Sequence, residues 1–230
     1  NPIAYWAGTS VAEAFRSNSN ISDTVKTAYG LITMDNGRFV RFWYEVCFPD
    51  ILRENNQSDN WVPYNNGGLF RKWYGNQESV VRWKNNGSEV KSFAKQKNGS
   101  VSRTVVGQTH YFKPGISWNA ISSDRLSARA FGRGFIFSNA SMCAFGGAED
   151  LSVSSAILNS NAAPHFLEIL APSLNFGAMQ VGLVPFPKLD STGKTVKNVD
   201  LLTECCKSDW DAYETSWDFT TLPLVSPDHR

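Results

Sequence analysis

Hydrophobic positions follow a helical period at the start of the chain and a strand-like period after it. Tyr5, Val11, Ala12 and Phe15 can share one face of a helix, which predicts a helix over residues 4–16. After residue 20, hydrophobic and polar positions alternate in runs rich in aromatic and β-branched residues, which is typical of strands. These runs cover residues 28–34, 38–48, 69–74 and 78–84.

Clusters of asparagine and glycine separate these predicted strands. Both residue types adopt the backbone conformations of tight turns more easily than others do. The clusters are Asp35-Asn36-Gly37, Asn65-Asn66-Gly67-Gly68, Asn85-Asn86-Gly87 and Asn98-Gly99. The pattern predicts a meandering antiparallel sheet with long loops, and residues 103–106, 110–113 and 133–138 add further predicted strands.

Helical periodicity returns in the second half of the chain. Asp150 precedes an apolar-periodic stretch through Asn159, which predicts a helix capped by that aspartate. Residues 163–170 predict another helix, and two prolines within 184–187 predict a bend without regular structure. Further helices are predicted at 196–206 and 208–213, and an extended segment at 215–227.

These elements predict an α+β fold. We expect a mainly antiparallel twisted sheet with long loops, an N-terminal helix, and helices after residue 150. We expect residues 1–187 to form one domain, with residues 188–230 as a C-terminal segment that packs on it or leads to the next region. The 42% of hydrophobic residues can fill a core, which excludes a disordered chain.

Cysteine usage and the lack of an export signal indicate a cytoplasmic protein. Cys47, Cys143, Cys205 and Cys206 form no paired metal-binding motif, so we expect reduced thiols and no zinc site. We expect no membrane contact, because no signal peptide opens the chain and no apolar run reaches membrane-spanning length. Since no initiator Met is present, we expect the chain to be a piece of a longer protein.

Charge is segregated along the chain although the formal net charge is only +1. Residues 53–133 carry thirteen Lys and Arg against five acidic residues, whereas residues 134–230 carry five against eleven. A basic middle segment favours a polyanionic partner such as nucleic acid. Accidental clustering on a solvated surface is the alternative.

Catalytic motifs are absent from the sequence. It contains no Walker, GxGxxG, GxSxG or HExxH pattern, and its three histidines, His110, His165 and His229, are far apart. The acidic cluster of Asp209, Asp211 and Glu214 is more typical of a solvated helix face than of a metal site. We therefore assign no catalytic, cofactor-binding or metal-binding residue.

Cations alternate with large aromatic residues in the basic segment. Lys and Arg can neutralise phosphates, and the aromatic residues can either pack beneath them or stack on a base. We expect residues 69–84 to form a hairpin-like region that reads DNA. The predicted DNA-binding residues are Arg71, Lys72, Arg82 and Lys84, followed by Arg38, Arg41 and Arg129. Alternatively, Arg71 and Arg82 form structural ion pairs, for example with Glu78 or Glu89.

Several long stretches of the sequence are distinctive. The most specific is WVPYNNGGLFRKWYGNQESVVRWKNNGSEVKSF at 61–93. The others are, in order, NPIAYWAG at 1–8, YGLITMDNGRFVRFWYEV at 29–46, YFKPGISWNAISSDRLSARAFGRGFIF at 111–137, ILNSNAAPHFLEILAPSLNFGAMQVGLVPFP at 157–187, and SDWDAYETSWDF at 208–219. In these stretches and in their order, the chain resembles the adenine-specific DNA methyltransferases of the bacterial BREX phage-defence systems. One departure is Met34, which stands where the family usually has glycine, so a positive φ there is in doubt.

The resemblance implies methyl transfer from S-adenosylmethionine to adenine N6 in the full-length enzyme. The glycine-rich cofactor loop and the Asn-Pro-Pro-Tyr motif of that chemistry are missing, so the chain matches the region beyond the catalytic domain. The resemblance implies that this region recognises double-stranded DNA and presents an adenine to the catalytic domain of the same polypeptide. Two alternatives stay open: the chain itself binds the methyl donor, or it docks other BREX proteins.

Overall fold

The computed structural model of the chain describes residues 6–53, 60–122, 125–173, 175–188 and 193–225. The strands are β1 (Ser19–Asn20), β2 (Lys26–Ala28), β3 (Val40–Phe42), β4 (Trp61–Asn65), β5 (Ser79–Arg82), β6 (Gly115–Asn119), β7 (Arg129–Phe131), β8 (Ile136–Phe137), β9 (Ser141–Phe145) and β10 (Pro185–Phe186). The helices are α1 (Thr9–Ser17), α2 (Ile21–Thr24), α3 (Asn36–Phe39), α4 (Lys84–Asn98), α5 (Ala148–Asn159), α6 (Ala163–Leu170), α7 (Ala178–Gly182) and α8 (Lys194–Asp211).

Two four-stranded sheets and several helices form the fold. The first sheet has the order β2-β9-β6-β7 and is antiparallel throughout. The second has the order β3-β5-β4-β8, in which only the β4–β8 pair is parallel. With α1 near the start and α5 to α8 after residue 147, the predicted α+β class is confirmed.

Strand β9 lies between two hydrophobic cores and contributes side chains to both. Met142 and Ala144 face the core formed with α5, α6 and α7, whereas Cys143 and Phe145 face the core shared with the second sheet. This is the period-two alternation of a strand that is buried on both faces. Tryptophans fill these cores: Trp118 is fully buried and donates its indole N–H to the Phe176 carbonyl at 2.7 Å.

The helices follow their periodicity closely, but their ends differ from the prediction. Helix α6 covers the predicted residues, whereas α5 begins at Ala148 after Gly147 and is not capped by Asp150. The two predicted C-terminal helices are one continuous helix, α8. Helix α1 is confirmed from Thr9 onward, residues 6–8 are not helical, and residues 4–5 of the predicted range lie outside the described residues.

Several predicted strands are wrong. Residues 69–74, 103–106 and 110–113 form turns and loops, and much of 38–48 is helical because α3 and a short 3-10 helix at Trp43–Glu45 flank β3. The prediction of a bend without regular structure at 184–187 is also wrong. Pro185 pairs with Asn20 in the two-stranded β1–β10 ribbon, where an edge position needs no N–H donor. The final stretch contains turns and a 3-10 helix at Pro223–Val225 in place of an extended segment.

Met34 has a positive φ, the conformation that was in doubt because Met34 stands where the family usually has glycine. Its φ is +62°, in the left-handed region. Its sulfur lies 3.2 Å from the Asn98 side-chain nitrogen and 3.7 Å from the Thr104 hydroxyl. Such a backbone conformation is unfavourable for a non-glycine residue, so these contacts contribute to holding the turn in place.

Across the part of the chain that the structure describes, no helix combines the length and apolar character needed to cross a membrane.

Candidate nucleic-acid interface

Helix α4 concentrates four of the thirteen cations of the basic segment, and three of them, Lys84, Lys95 and Lys97, are exposed. It contains four lysines and a single acidic residue, Glu89. Two arginines from β5 and α3 lie beside it. We call this group the α4 surface and define it as Arg38, Arg82, Lys84, Lys91, Lys95 and Lys97.

The chain enters α4 through a left-handed turn that a buried tryptophan supports. Asn85, Asn86 and Gly87 have φ values of +52°, +55° and +70°. A Cβ at Gly87 would lie 2.6 Å from the ring of Trp83, which is 2% exposed. Glycine is therefore required there, and the turn leaves Lys84 and both asparagines exposed.

Glu89 is shared by two arginines. Its Oε1 lies 2.8 Å from Nη2 of Arg38, and its Oε2 lies 2.9 Å from Nε of Arg82. The ion pair expected as an alternative for Arg82 therefore exists, with Glu89. All three side chains are more than a third exposed, so each pair contributes at most about 1 kcal/mol. One carboxylate balances two guanidinium groups, which leaves the surface with an excess of positive charge.

The lysines of α4 pack their stems on aromatic rings or extend into solvent. Lys91 Nζ lies 5.4 Å from the centre of the Trp83 ring, and Lys97 Nζ lies 5.7 Å from that of Phe93. Lys95 is exposed. Lys91, Lys95 and Lys97 are not among the predicted DNA-binding residues, although the spacing of Lys91 and Lys95 by four residues is that of a common helical face.

Arg41 on β3 is held locally. Its guanidinium donates to the backbone carbonyls of Gly37 and Val40 at 2.6 and 2.7 Å. Its side chain is partly exposed, so it extends the positive charge of the α4 surface along the edge strand β3.

Arg71 and Lys72 lie in the segment between β4 and β5, which we call the tip loop and define as residues 66–78. Arg71 forms an ion pair with Asp209 at 2.9 Å and covers the Trp210 ring at 5.0 Å. Lys72 donates to the Asn159 carbonyl at 2.7 Å. Part of the acidic C-terminal segment therefore neutralises part of the basic one within the molecule. The partner of Arg71 is Asp209, neither Glu78 nor Glu89.

Arg129 is buried and does not lie on a surface. It is 1% exposed, and its guanidinium donates to Asn119 Oδ1 at 2.8 Å and, more weakly, to the Ser127 hydroxyl and the Arg71 carbonyl. Burial lowers the pKa of Arg129 to about 10. Its contacts make it a support for the tip loop, and it is not available to a phosphate.

The predicted site residues therefore fall into two groups. Strand β5 pairs with β3 and β4, so the hairpin-like region expected over residues 69–84 is wrong. Arg38, Arg82 and Lys84 lie at the C-terminal end of β5, whereas Arg71 and Lys72 precede its N-terminal end. Sequence reasoning missed the second ion pair of Glu89, with Arg38, and the polar contacts that support the tip loop, because both join residues far apart in sequence.

Within the described ranges, no three His, Cys, Asp or Glu side chains form a group that can hold a metal ion. The acidic residues at the end of α8 have other partners: Asp209 binds Arg71, and Asp211 accepts a hydrogen bond from the Ser216 hydroxyl at 2.6 Å.

Comparison with known proteins identifies the relatives of the chain. The adenine-specific methyltransferase PglX of Lacticaseibacillus casei (strain Zhang) is 35% identical over 240 residues, which cover 100% of this chain and 20% of PglX. The adenine-specific methyltransferase BrxX of Escherichia coli O9:H4 (strain HS) is 29% identical over 231 residues, which cover 98% of this chain and 18% of BrxX. No protein-family model matches the chain.

The chain spans about a fifth of the length of these relatives. The resemblance inferred from the sequence is confirmed: over its whole length, the chain is homologous to one region of the larger BREX-type adenine-specific methyltransferases.

Proposed function

We propose that this region binds double-stranded DNA and recognises the target site of an adenine-N6 methyltransferase. The catalytic domain, which uses S-adenosylmethionine, lies elsewhere in the same polypeptide, and the enzyme acts in the bacterial cytoplasm. Both relatives are named adenine-specific methyltransferases, which supports a substrate that contains adenine, as DNA does. The absence of a cofactor loop from the sequence supports a role in recognition over one in catalysis.

The observation that carries the proposal is the α4 surface. It combines six cations with one glutamate, Glu89. Arg38 and Arg82 both bind that glutamate, and Arg38 also lies over the Phe39 and Phe93 rings. Cations held in place lose less entropy on binding a phosphate than freely rotating ones do. Exposed asparagines of the left-handed turn lie next to Lys84, and asparagine side chains can read adenine edges.

A charge-matched pair of variants tests the proposal. Lys84→Gln/Lys95→Gln removes two cations from the α4 surface, and Lys26→Gln/Lys197→Gln removes two exposed lysines from β2 and α8. Each lost phosphate contact lowers the log–log salt slope of duplex binding by about 0.9, so the first variant should lose about 1.8 and the control nearly nothing. Equal slopes for both variants, or binding that does not depend on salt, would contradict the proposal.

A second candidate function is docking of other defence proteins, and an exposed aromatic pair favours it. Phe42 and Tyr44 are 41% and 57% exposed, and their rings stack at 5.3 Å beside the edge strand β3. Exposed aromatic residues at a sheet edge are typical of protein interfaces. Phe42→Ala/Tyr44→Ala should then weaken association with a partner protein while duplex binding stays unchanged.

A further inference from the structure

The tip loop presents two adjacent apolar side chains to solvent. Leu69 is 85% exposed and Phe70 is 53% exposed. They follow Gly67 and Gly68, whose φ values of +81° and +128° turn the chain sharply after the buried strand β4. A single exposed leucine needs no explanation, but an exposed Leu-Phe pair at the end of a sharp turn points to an apolar partner.

The backbone beneath these side chains is held in one conformation. The Asn119 side chain donates to the Gly68 carbonyl at 2.6 Å, and the Asn76 side chain donates to the Leu69 carbonyl at 2.7 Å. A Cβ at Gly68 would lie 2.7 Å from Asn76, so the loop fits closely against that side chain. Leu69 and Phe70 are therefore exposed on a supported backbone.

Arg129 supports this arrangement from below. Its guanidinium donates to Oδ1 of Asn119 at 2.8 Å, which orients the amide that binds the tip. The returning part of the loop is tied to the first sheet, because Trp73 N–H donates to Ala128 and Trp73 accepts from Ala130. Three parts of the chain that are distant in sequence thus converge to hold two exposed residues.

Positive charge borders the tip. Lys72 and Arg125 line a cleft of about 720 Å³ next to the loop, and the partner of Lys72, the Asn159 carbonyl, carries no opposing charge. Arg71 follows the apolar pair directly, but Asp209 balances its charge. An apolar pair bordered by cations is complementary to a base step bordered by phosphates. The surface that two side chains can bury is also far smaller than the roughly 800 Å² that each partner buries in a stable protein interface.

We propose that Leu69 and Phe70 act as a wedge that enters the base stack of duplex DNA when the target adenine leaves it. This inference rests on the proposed function. Adenine N6 is inaccessible to chemistry inside the stack, so the base must rotate out, and the gap left behind exposes apolar base faces to water. Side chains that fill the gap stabilise the flipped state, and an aromatic ring matches the base spacing of about 3.4 Å.

The test uses the full-length methyltransferase that contains this region, with its target site first mapped by adenine-methylation sequencing. Leu69→Ala/Phe70→Ala removes the wedge, and Leu201→Ala, at a 65% exposed position on α8, is the control. Single-turnover methylation is measured on two duplexes, one fully paired and one in which the target adenine faces a mismatched base. A mismatch lowers the free energy needed to unpair the adenine, so the wedge matters less there.

The expected result is a loss of about tenfold or more on the paired duplex, and of less than about threefold on the mismatched one, each relative to the unmodified enzyme. The salt slope of binding and the thermal unfolding midpoint should stay unchanged, because both side chains are exposed. An equal loss on both duplexes would overturn the wedge and indicate that the tip packs on another part of the polypeptide. No loss on either duplex would overturn it as well.

Failure of the proposed function has a different signature. In that case Lys84→Gln/Lys95→Gln and Lys26→Gln/Lys197→Gln give equal salt slopes of duplex binding in the full-length enzyme, and the wedge is rejected together with the recognition role.

Discussion

Replacing Glu89 with glutamine should make the protein bind duplex DNA more tightly. Glu89 is the only acidic residue on α4, and its two carboxylate oxygens bind Arg38 and Arg82 at 2.8 and 2.9 Å. Glutamine has nearly the same shape but no charge, so Glu89→Gln frees one net positive charge on the α4 surface. The prediction is a gain of function, which a damaged fold cannot produce.

The expected gain in duplex affinity follows from the change in charge. One additional effective phosphate contact steepens the log–log salt slope by about 0.9. With affinities converging near 1 M salt, this corresponds to about eightfold tighter binding at 0.1 M salt and about fourfold at 0.2 M. The loss of folding stability should stay below about 2 kcal/mol, because each of the two exposed ion pairs contributes at most about 1 kcal/mol.

Fluorescence anisotropy with a labelled duplex measures the affinity at several salt concentrations. Glu13→Gln on α1 changes the net charge by the same amount at another exposed position and serves as the control. If Glu89→Gln binds no more tightly than Glu13→Gln, the α4 surface does not contact phosphates. If the affinity rises equally in both variants, net charge alone explains it and the surface has no special role.

Three further predictions concern the fold and the chemistry. Gly30→Ala should lower the free energy of unfolding, measured by urea denaturation, by about 2 to 3 kcal/mol, because the new Cβ would lie 2.1 Å from the Phe137 carbonyl oxygen. The control is Gly132→Ala, whose Cβ would have no atom within 4 Å and which should be nearly neutral. Burial lowers the pKa of His110, so its neutral form stabilises the fold above pH 6.5, and that contribution is lost as pH falls. His110→Gln should therefore make the free energy of unfolding less dependent on pH between pH 7 and 5. His165→Gln, at an exposed position, should not have this effect. The 230-residue chain should transfer no labelled methyl group from S-adenosylmethionine to DNA, since it lacks the cofactor and catalytic motifs, and measurable transfer would contradict its assignment to recognition.

Local patterns predicted those parts of the fold that depend on local interactions. The apolar period over residues 163–170 gave α6 correctly, and the alternating run at 78–84 contains β5. The segregation of charge along the chain is visible in the sequence, as is the resemblance to BREX methyltransferases that the relatives confirm. Each of these features depends on neighbouring residues or on the order of motifs, so no three-dimensional information is needed.

Long-range pairing decided the conformation of the tip loop. Residues 69–74 are aromatic enough to predict a strand, but the backbone of Trp73 bonds to Ala128 and Ala130, and asparagines at 76 and 119 bind the carbonyls before it. A strand requires a partner edge along its length, and here Trp73 finds only an isolated bridge to Arg129. Intrinsic strand propensity is weaker than such tertiary hydrogen bonding.

The sequence alone also did not show which cations are available to bind a partner. Arg71 and Lys72 are bound by Asp209 and Asn159, which lie 138 and 87 residues further along the chain, and Arg129 is enclosed in the core. Lys95, by contrast, is exposed, and Lys91 lies over the ring of Trp83, the residue after Arg82. The sequence by itself determined the fold class, the relatives and the number of positive charges. Only the tertiary structure decided which charges face solvent, because burial and ion pairing depend on which distant segments the fold brings together.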